Sequence, residues 1–279
     1  WDVTSGDQYG DDVAAGPHGV GVGVPFYNVG FTGNESGVAF IYRQMSWDDD
    51  NWQHDMRQIQ PCLGSDQIMR NPEIDADTAS FGLDIALDSN TAIVGDPYYR
   101  NDDGDPSGIV RFYTRSTVDS DWVLLSGKDV DLPEPIDAWE QFGASVDIEG
   151  DFAIIGAPGH DSDTGRVIIM QRQGSSWVEV DVIGDDVTGA LFGFDVAVDV
   201  AFGQTYFIVG APTSYSTAGI VRVYQWDDGD QYAKELFSVL DPQWSGTATS
   251  RFGEAVDINV TNTDQIRFAV GNPWQFGPD

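Results

Sequence analysis

A block that pairs an aromatic residue and a glycine with a later Gly-x-Pro tripeptide recurs five times in this chain. The aromatic-glycine pairs are Tyr9-Gly10, Phe81-Gly82, Phe142-Gly143, Phe192-Gly193 and Phe252-Gly253. The matching tripeptides are Gly23-Val24-Pro25, Gly95-Asp96-Pro97, Gly156-Ala157-Pro158, Gly210-Ala211-Pro212 and Gly271-Asn272-Pro273. Such self-similarity is the signature of a repeat architecture, in which one supersecondary unit is used many times. The fold must therefore be assembled from copies of one unit.

The spacing of the copies indicates which unit this is. Successive aromatic-glycine pairs are 72, 61, 50 and 60 residues apart, which suits a four-stranded propeller blade and is too long for ankyrin or tetratricopeptide repeats. The 32 glycines and 13 prolines separate short apolar runs, as expected for many short strands joined by turns. We therefore predict an all-β fold, a β-propeller of four-stranded antiparallel blades.

The third copy shows how one blade is predicted to run. Alternating residues 144–148 suit a half-buried strand, and the continuous apolar run 152–155 suits a strand buried on both faces. The tripeptide ends that strand, because Pro158 has no N–H for a ladder and Gly156 permits close approach of the backbone. A polar loop, a third strand at 166–171 and a fourth strand opening at Trp177 complete the unit.

This order of motifs resembles the FG-GAP repeat family, in a form with a short hairpin between Phe-Gly and Gly-Ala-Pro. The resemblance covers nearly the whole chain and extends to the propeller of the integrin α-subunit. It implies a propeller, usually of seven blades and often on a cell surface. Integrin-like copies carry a calcium loop in the hairpin, whereas this chain has turns such as Glu149-Gly150 there, so integrin-type calcium sites are not expected.

The predicted blades span residues 9–80, 81–141, 142–191, 192–251 and 252–279, the last one incomplete. About four and a half blades leave an open edge, which is an aggregation hazard unless other strands cover it. We therefore expect the chain to be part of a larger ring, and a complete five-bladed ring is the alternative. Sixteen motif residues are predicted to be structural: Phe81, Gly82, Gly95, Pro97, Phe142, Gly143, Gly156, Pro158, Phe192, Gly193, Gly210, Pro212, Phe252, Gly253, Gly271 and Pro273.

The charge of the chain limits its partners. Asp and Glu number 46 against 13 Lys and Arg, giving a formal net charge of −33. A charge of this size repels phosphate backbones and anionic membranes, so no nucleic-acid partner is expected. The sequence has no apolar run long enough for a transmembrane helix. Cys62 is the only cysteine and does not decide the compartment.

The acidic loops after the tripeptides are the candidate metal sites. Asp102, Asp103 and Asp105 lie in one such loop, and Asp161 and Asp163 lie in another. They concentrate the oxygen ligands that calcium prefers, although neither loop completes an EF-hand frame. The alternative is that they are solvated turns in which Asp and Asn bond their own backbone. Calcium is thus the only candidate cofactor.

Two triplets match the acceptor sequence for N-glycosylation, at Asn34 and Asn259, which predicts exposed asparagines in a secreted protein. No catalytic residue is predicted. His18, His54 and His160 are widely spaced, and the chain has no Gly-x-Ser-x-Gly elbow and no Walker loop. Trp139, Trp244 and Trp274 fall outside the repeating pattern of aromatic residues.

Three functions are compatible with these observations. The first is a non-catalytic structural or adhesive module, extracellular or on the cell surface, that assembles with itself or with other proteins. The second is a ligand-binding receptor domain, integrin-like or lectin-like, that recognises a ligand such as a glycan with calcium. The third is an enzyme that uses the central channel, or a propeller attached to a catalytic domain, for which these residues supply no active site.

Overall fold

The computed structural model describes residues 8–26, 37–44, 52–59, 80–100, 104–117, 120–125, 130–131, 138–214, 218–242, 250–262 and 265–273. These residues form an all-β structure of 19 strands and one short helical turn, α1 (His160–Asp163). Each strand pairs mainly with the next strand along the chain, because short turns join neighbouring strands as antiparallel hairpins. No helix in this part of the chain is long and apolar enough to cross a membrane.

The strands are grouped in five successive sheets. Sheet 1 contains β1 (Val13–Gly16), β2 (Gly19–Val24), β3 (Val38–Gln44) and β4 (Trp52–Ile59). Sheet 2 contains β5 (Ile85–Asp88), β6 (Thr91–Asp96), β7 (Ile109–Thr114) and β8 (Val123–Leu124). Sheet 3 contains β10 (Val146–Glu149), β11 (Phe152–Ala157), β12 (Arg166–Gln173) and β13 (Ser176–Gly184). Sheet 4 contains β14 (Val196–Ala201), β15 (Gln204–Ala211), β16 (Ile220–Asp227) and β17 (Tyr232–Leu240). Sheet 5 contains β18 (Ala255–Asn262) and β19 (Gln265–Gly271).

Sheet 3 has one strand that the repeat pattern did not predict. The two-residue strand β9 (Val130–Asp131) pairs in parallel with the outer edge of β13, with Val130 opposite Trp177. The segment that connects sheet 2 to sheet 3 thus covers part of an edge that would otherwise expose unpaired backbone groups.

The apolar core lies between successive sheets. Between sheets 2 and 3, Ile93 and Phe112 pack with Ile155, Ile168 and Trp177. Further clusters of the same kind fill the spaces between sheets 1 and 2, sheets 3 and 4, and sheets 4 and 5. The middle strands are therefore buried on both faces, which explains the continuous apolar run predicted for the second strand of the third copy.

The first strands of the sheets, β1, β5, β10, β14 and β18, are the inner strands of the structure. Each contacts the inner strand of the next sheet: β1 contacts β5, β5 contacts β10, β10 contacts β14, and β14 contacts β18. Sheets of four antiparallel strands that pack face to face, with their first strands side by side, are the blades of a β-propeller. The predicted fold class is confirmed.

Candidate functional site: the seams between blades

The two glycines of the repeat motif meet within each blade. The N–H of Gly143 donates to the carbonyl of Gly156 at 2.9 Å. The same bond joins the corresponding glycines of the other copies: Gly10 to Gly23, Gly82 to Gly95, Gly193 to Gly210 and Gly253 to Gly271. The motif therefore closes the end of the blade at which the first strand starts and the second strand stops.

The same glycines also form the contact between blades. A Cβ atom at Gly156 would lie 2.1 Å from the carbonyl oxygen of Gly193 in the next blade, closer than any side chain can approach. Gly95 stands in the same relation to Gly143, and Gly210 to Gly253, at 2.0 Å in both cases. Glycine is needed here because two backbones touch.

Buried ion pairs hold the segments that enter the later blades. Arg222 donates to Asp185 at 2.9 Å, and Arg166 donates to Glu140 at 2.7 Å, with each carboxylate side chain only 1% exposed. His160 also contacts Glu140, with 2.9 Å between Nδ1 and Oε1. Each pair joins a carboxylate outside the strands to an arginine on a strand: Glu140 to β12 and Asp185 to β16. Removal of one member would leave an uncompensated buried charge.

Carboxylates also connect the inner strands, and we call this set the inner wall: Asp12, Asp84, Asp88, Asp147, Glu149, Asp195 and Asp199. Each accepts a hydrogen bond from a backbone N–H of the next inner strand or, in the case of Gly150, of the turn that follows it. The donors are Ile85 to Asp12, Val146 to Asp84, Gly150 to Asp88, Val198 to Asp147, Val200 to Glu149, Val256 to Asp195 and Val260 to Asp199. Inner strands are neighbours without being paired in one ladder, so side-chain acceptors satisfy their N–H groups.

The inner wall follows a register that can be read from the sequence. Acceptors stand three, five or seven residues after the aromatic of the motif, and donors stand four, six or eight residues after the aromatic of the next copy. Ser145 occupies the third position in its blade, where its Oγ accepts the N–H of Val196 at 3.1 Å and donates to Asp195 at 2.9 Å. In the first four copies a short polar side chain thus fills the third position: Asp12, Asp84, Ser145 and Asp195.

Burial favours the protonated form of four inner-wall carboxyl groups, those of Asp84, Asp147, Glu149 and Asp195. Burial raises the pKa of Asp147 to about 6, although the N–H groups of Val198 and Ile148 oppose the rise. Burial also raises the pKa of Glu149 to about 7, and the neighbouring Asp199 carboxyl adds to the effect. Desolvation and the adjacent Asp12 hold the pKa of Asp84 well above its usual range. Asp147 and Glu149 therefore change protonation state closer to neutral pH than ordinary carboxyl groups do.

The candidate calcium ligands lie away from the inner wall. Asp161 and Asp163 are exposed in α1, where their φ angles are 45° and 64°, and Asp105 is exposed in the loop before β7. Asp102 and Asp103 lie outside the described residues. Among the residues whose positions are described, no three His, Cys, Asp or Glu side chains come together as a metal-binding group. Calcium binding by these loops stays a prediction.

The remaining predicted residues have clear places in the structure. Phe81, Phe142 and Phe192 are fully buried, and Phe252 packs at the edge of the cluster between sheets 4 and 5. Pro97, Pro158 and Pro212 are buried directly after their second strands, whereas Pro273 is exposed. Asn259 is exposed on β18, and its glycosylation stays a prediction, while Asn34 lies outside the described residues.

Sequence reasoning missed the inner wall. Acidic residues are so common in this chain that no single pair stood out as functional. The signal that could have identified the wall is positional: Asp84, Ser145 and Asp195 all stand three residues after the motif phenylalanine. Comparing the copies position by position would have separated these side chains from solvated acids.

Comparison with known proteins supports the repeat assignment. No curated protein matches the chain. The family model described as FG-GAP repeat matches residues 136–170, which run from the segment before Phe142 through β10, β11 and α1 to Met170 in β12. The matched segment contains the glycine pair and the Glu140–Arg166 ion pair described above. The FG-GAP resemblance is thus confirmed for the copy at residues 136–170, which form an FG-GAP repeat, whereas its extension to the other copies and to the integrin propeller stays a prediction.

Proposed function

We propose that this chain is a non-catalytic β-propeller module of an extracellular or cell-surface structure, where it mediates assembly with other proteins. The observation that carries the proposal is that its buried polar residues and motif glycines make structural contacts. The inner-wall carboxylates, the motif glycines and the buried Arg–acid pairs join one blade to the next. FG-GAP repeats build such modules, which often bind proteins and are generally not enzymes.

The exposed surface supports an assembly role. With a net charge of −33, the chain repels phosphate-rich partners and attracts basic ones. The outer strands add apolar side chains: Val182 on β13, and Leu236 and Leu240 on β17, are 40–48% exposed. Calcium at the loop aspartates and glycans at Asn34 or Asn259 would be accessory features of the same surface module.

The proposal is tested by locating the protein on intact cells of its source. Antibodies raised against the purified chain should label cells that have not been permeabilised, or material released from their surface. Permeabilisation should add little signal. Labelling that appears only after permeabilisation would contradict the proposal. An antibody to a known cytosolic protein serves as the control for cell integrity.

A further inference from the structure

Trp139 is a large aromatic side chain in an unusual setting. It is 66% exposed, and its φ angle is +69°, in the left-handed region that bulky residues rarely adopt. Its backbone is held on both sides. The N–H of Trp139 donates to the carbonyl of Pro106 at 2.6 Å, and a Cβ atom at Gly159 would lie 2.0 Å from the carbonyl oxygen of Trp139.

The fourth copy provides an internal comparison. Gly189 stands three residues before Phe192, as Trp139 stands three residues before Phe142, and its φ angle is +77°. The two segments make the same downstream contact, since Gly159 donates to the carbonyl of Glu140 and Thr213 donates to that of Ala190. The fold thus requires a left-handed residue at this position, and glycine meets that requirement without strain. The fold therefore does not require the indole side chain of Trp139.

Acidic loops flank Trp139. Asp105 precedes Pro106, whose carbonyl accepts the N–H of Trp139. Asp161 and Asp163 closely follow Gly159, which lies against the carbonyl of Trp139. All three aspartates are exposed. Among the described cations near these loops, His160 and Arg166 contact Glu140, whereas Arg100 donates to the neutral carbonyl of Gly104 at 2.6 Å and keeps its charge, so the three aspartates outnumber it. The patch therefore combines an exposed indole with negative charge.

We propose that Trp139 anchors a docking surface for a basic partner segment, a peptide whose arginine or lysine side chain lies over the indole. Tryptophan is the strongest cation–π partner among the aromatic side chains, and the flanking aspartates complement the remaining positive charge of such a peptide. This inference rests on the proposed assembly function and specifies the chemistry of its partner.

The test measures binding of a fluorescently labelled octa-arginine peptide at near-physiological salt. The variant Trp139→Gly copies the residue of the sister repeat and keeps the net charge of the chain. We expect it to bind the peptide about fivefold more weakly than the wild type, the effect of one exposed cation–π contact. Its Tm should equal or exceed that of the wild type, because the strained residue is gone.

A second variant distinguishes loss of the indole from a folding defect. Trp139→Asn also tolerates a left-handed backbone, and it should lose affinity to the same extent. Equal peptide affinity in the wild type and both variants would overturn the proposal, because attraction would then follow net charge alone. Trp139-dependent binding of a neutral oligosaccharide such as chitohexaose, without peptide binding, would overturn it in favour of a saccharide site. The cell-surface labelling experiment does not involve Trp139, so the two results are independent.

Discussion

Aspartates lie both in the inner wall and in the loop after β11, but their roles differ. Asp147 on β10 is partly buried, accepts the N–H of Val198 from the next blade at 2.7 Å, and has a raised pKa. Asp161 and Asp163 are exposed in a left-handed turn. The acidic residues of this chain therefore have two different roles. Inner-wall carboxylates satisfy backbone donors between blades, whereas the carboxylates of Asp161 and Asp163 are exposed to solvent.

Removal of the inner-wall acceptor Asp147 should have the largest effect on stability. At pH 5, where Asp147 is largely protonated, Asp147→Ala should lower the free energy of unfolding by about 1–3 kcal/mol, since the buried N–H of Val198 loses its partner. Urea denaturation measures the effect. An unchanged midpoint would mean that this bond contributes nothing to the seam between blades.

The matched variant Asp147→Asn separates the acceptor from the charge. Its amide oxygen can still accept the N–H of Val198, while its NH2 group replaces the oxygen that accepts the N–H of Ile148, and it carries no charge to bury. At pH 8 we expect Asp147→Asn to be more stable than the wild type by roughly 1–2 kcal/mol, because each unit of pKa shift corresponds to about 1.4 kcal/mol. Loss of stability in this variant at pH 8 would show that the ionised carboxylate is favoured at the seam.

The wild-type protein should become more stable as the pH falls from 8 to 5. The pKa values of Asp147 and Glu149 are raised to about 6 and about 7, so the folded chain binds protons more tightly than the unfolded chain. The stabilisation appears as the pH falls through these values and is complete below the unfolded pKa values near 4. Thermal unfolding across this range should give a rising Tm, and a flat or falling Tm would contradict the raised values.

The smallest effect on stability is expected in the loop. The double variant Asp161→Asn and Asp163→Asn should change the free energy of unfolding by less than about 0.5 kcal/mol, because both side chains are exposed and asparagine also accepts a left-handed backbone. The calcium hypothesis adds a second measurement. Isothermal titration with calcium should give heat of binding in the wild type, and this heat should disappear in the double variant. Equal heat in both proteins would remove these aspartates as ligands.

Most of the fold could be predicted because its signals are local. The apolar run at 152–155 became β11, and the alternating segment that ends at Ile148 became β10. The parallel strand β9 could not be predicted, since two residues carry no periodicity and their pairing depends on where the edge of β13 lies. For the same reason the sequence singled out loop aspartates and not Asp147, whose partner Val198 is 51 residues away along the chain.

The amino-acid sequence by itself determined the repeat, the strand order within a blade and the strongly negative charge, since each follows from neighbouring residues or from composition. Which acidic residues join blades and which are exposed in loops depends on the tertiary structure. The tertiary structure also places Gly156 against Gly193 of the next blade. It exposes the indole of Trp139 at a position where the fourth copy has Gly189. These roles depend on contacts between blades. The periodicity within one blade does not encode how its backbone contacts the next blade.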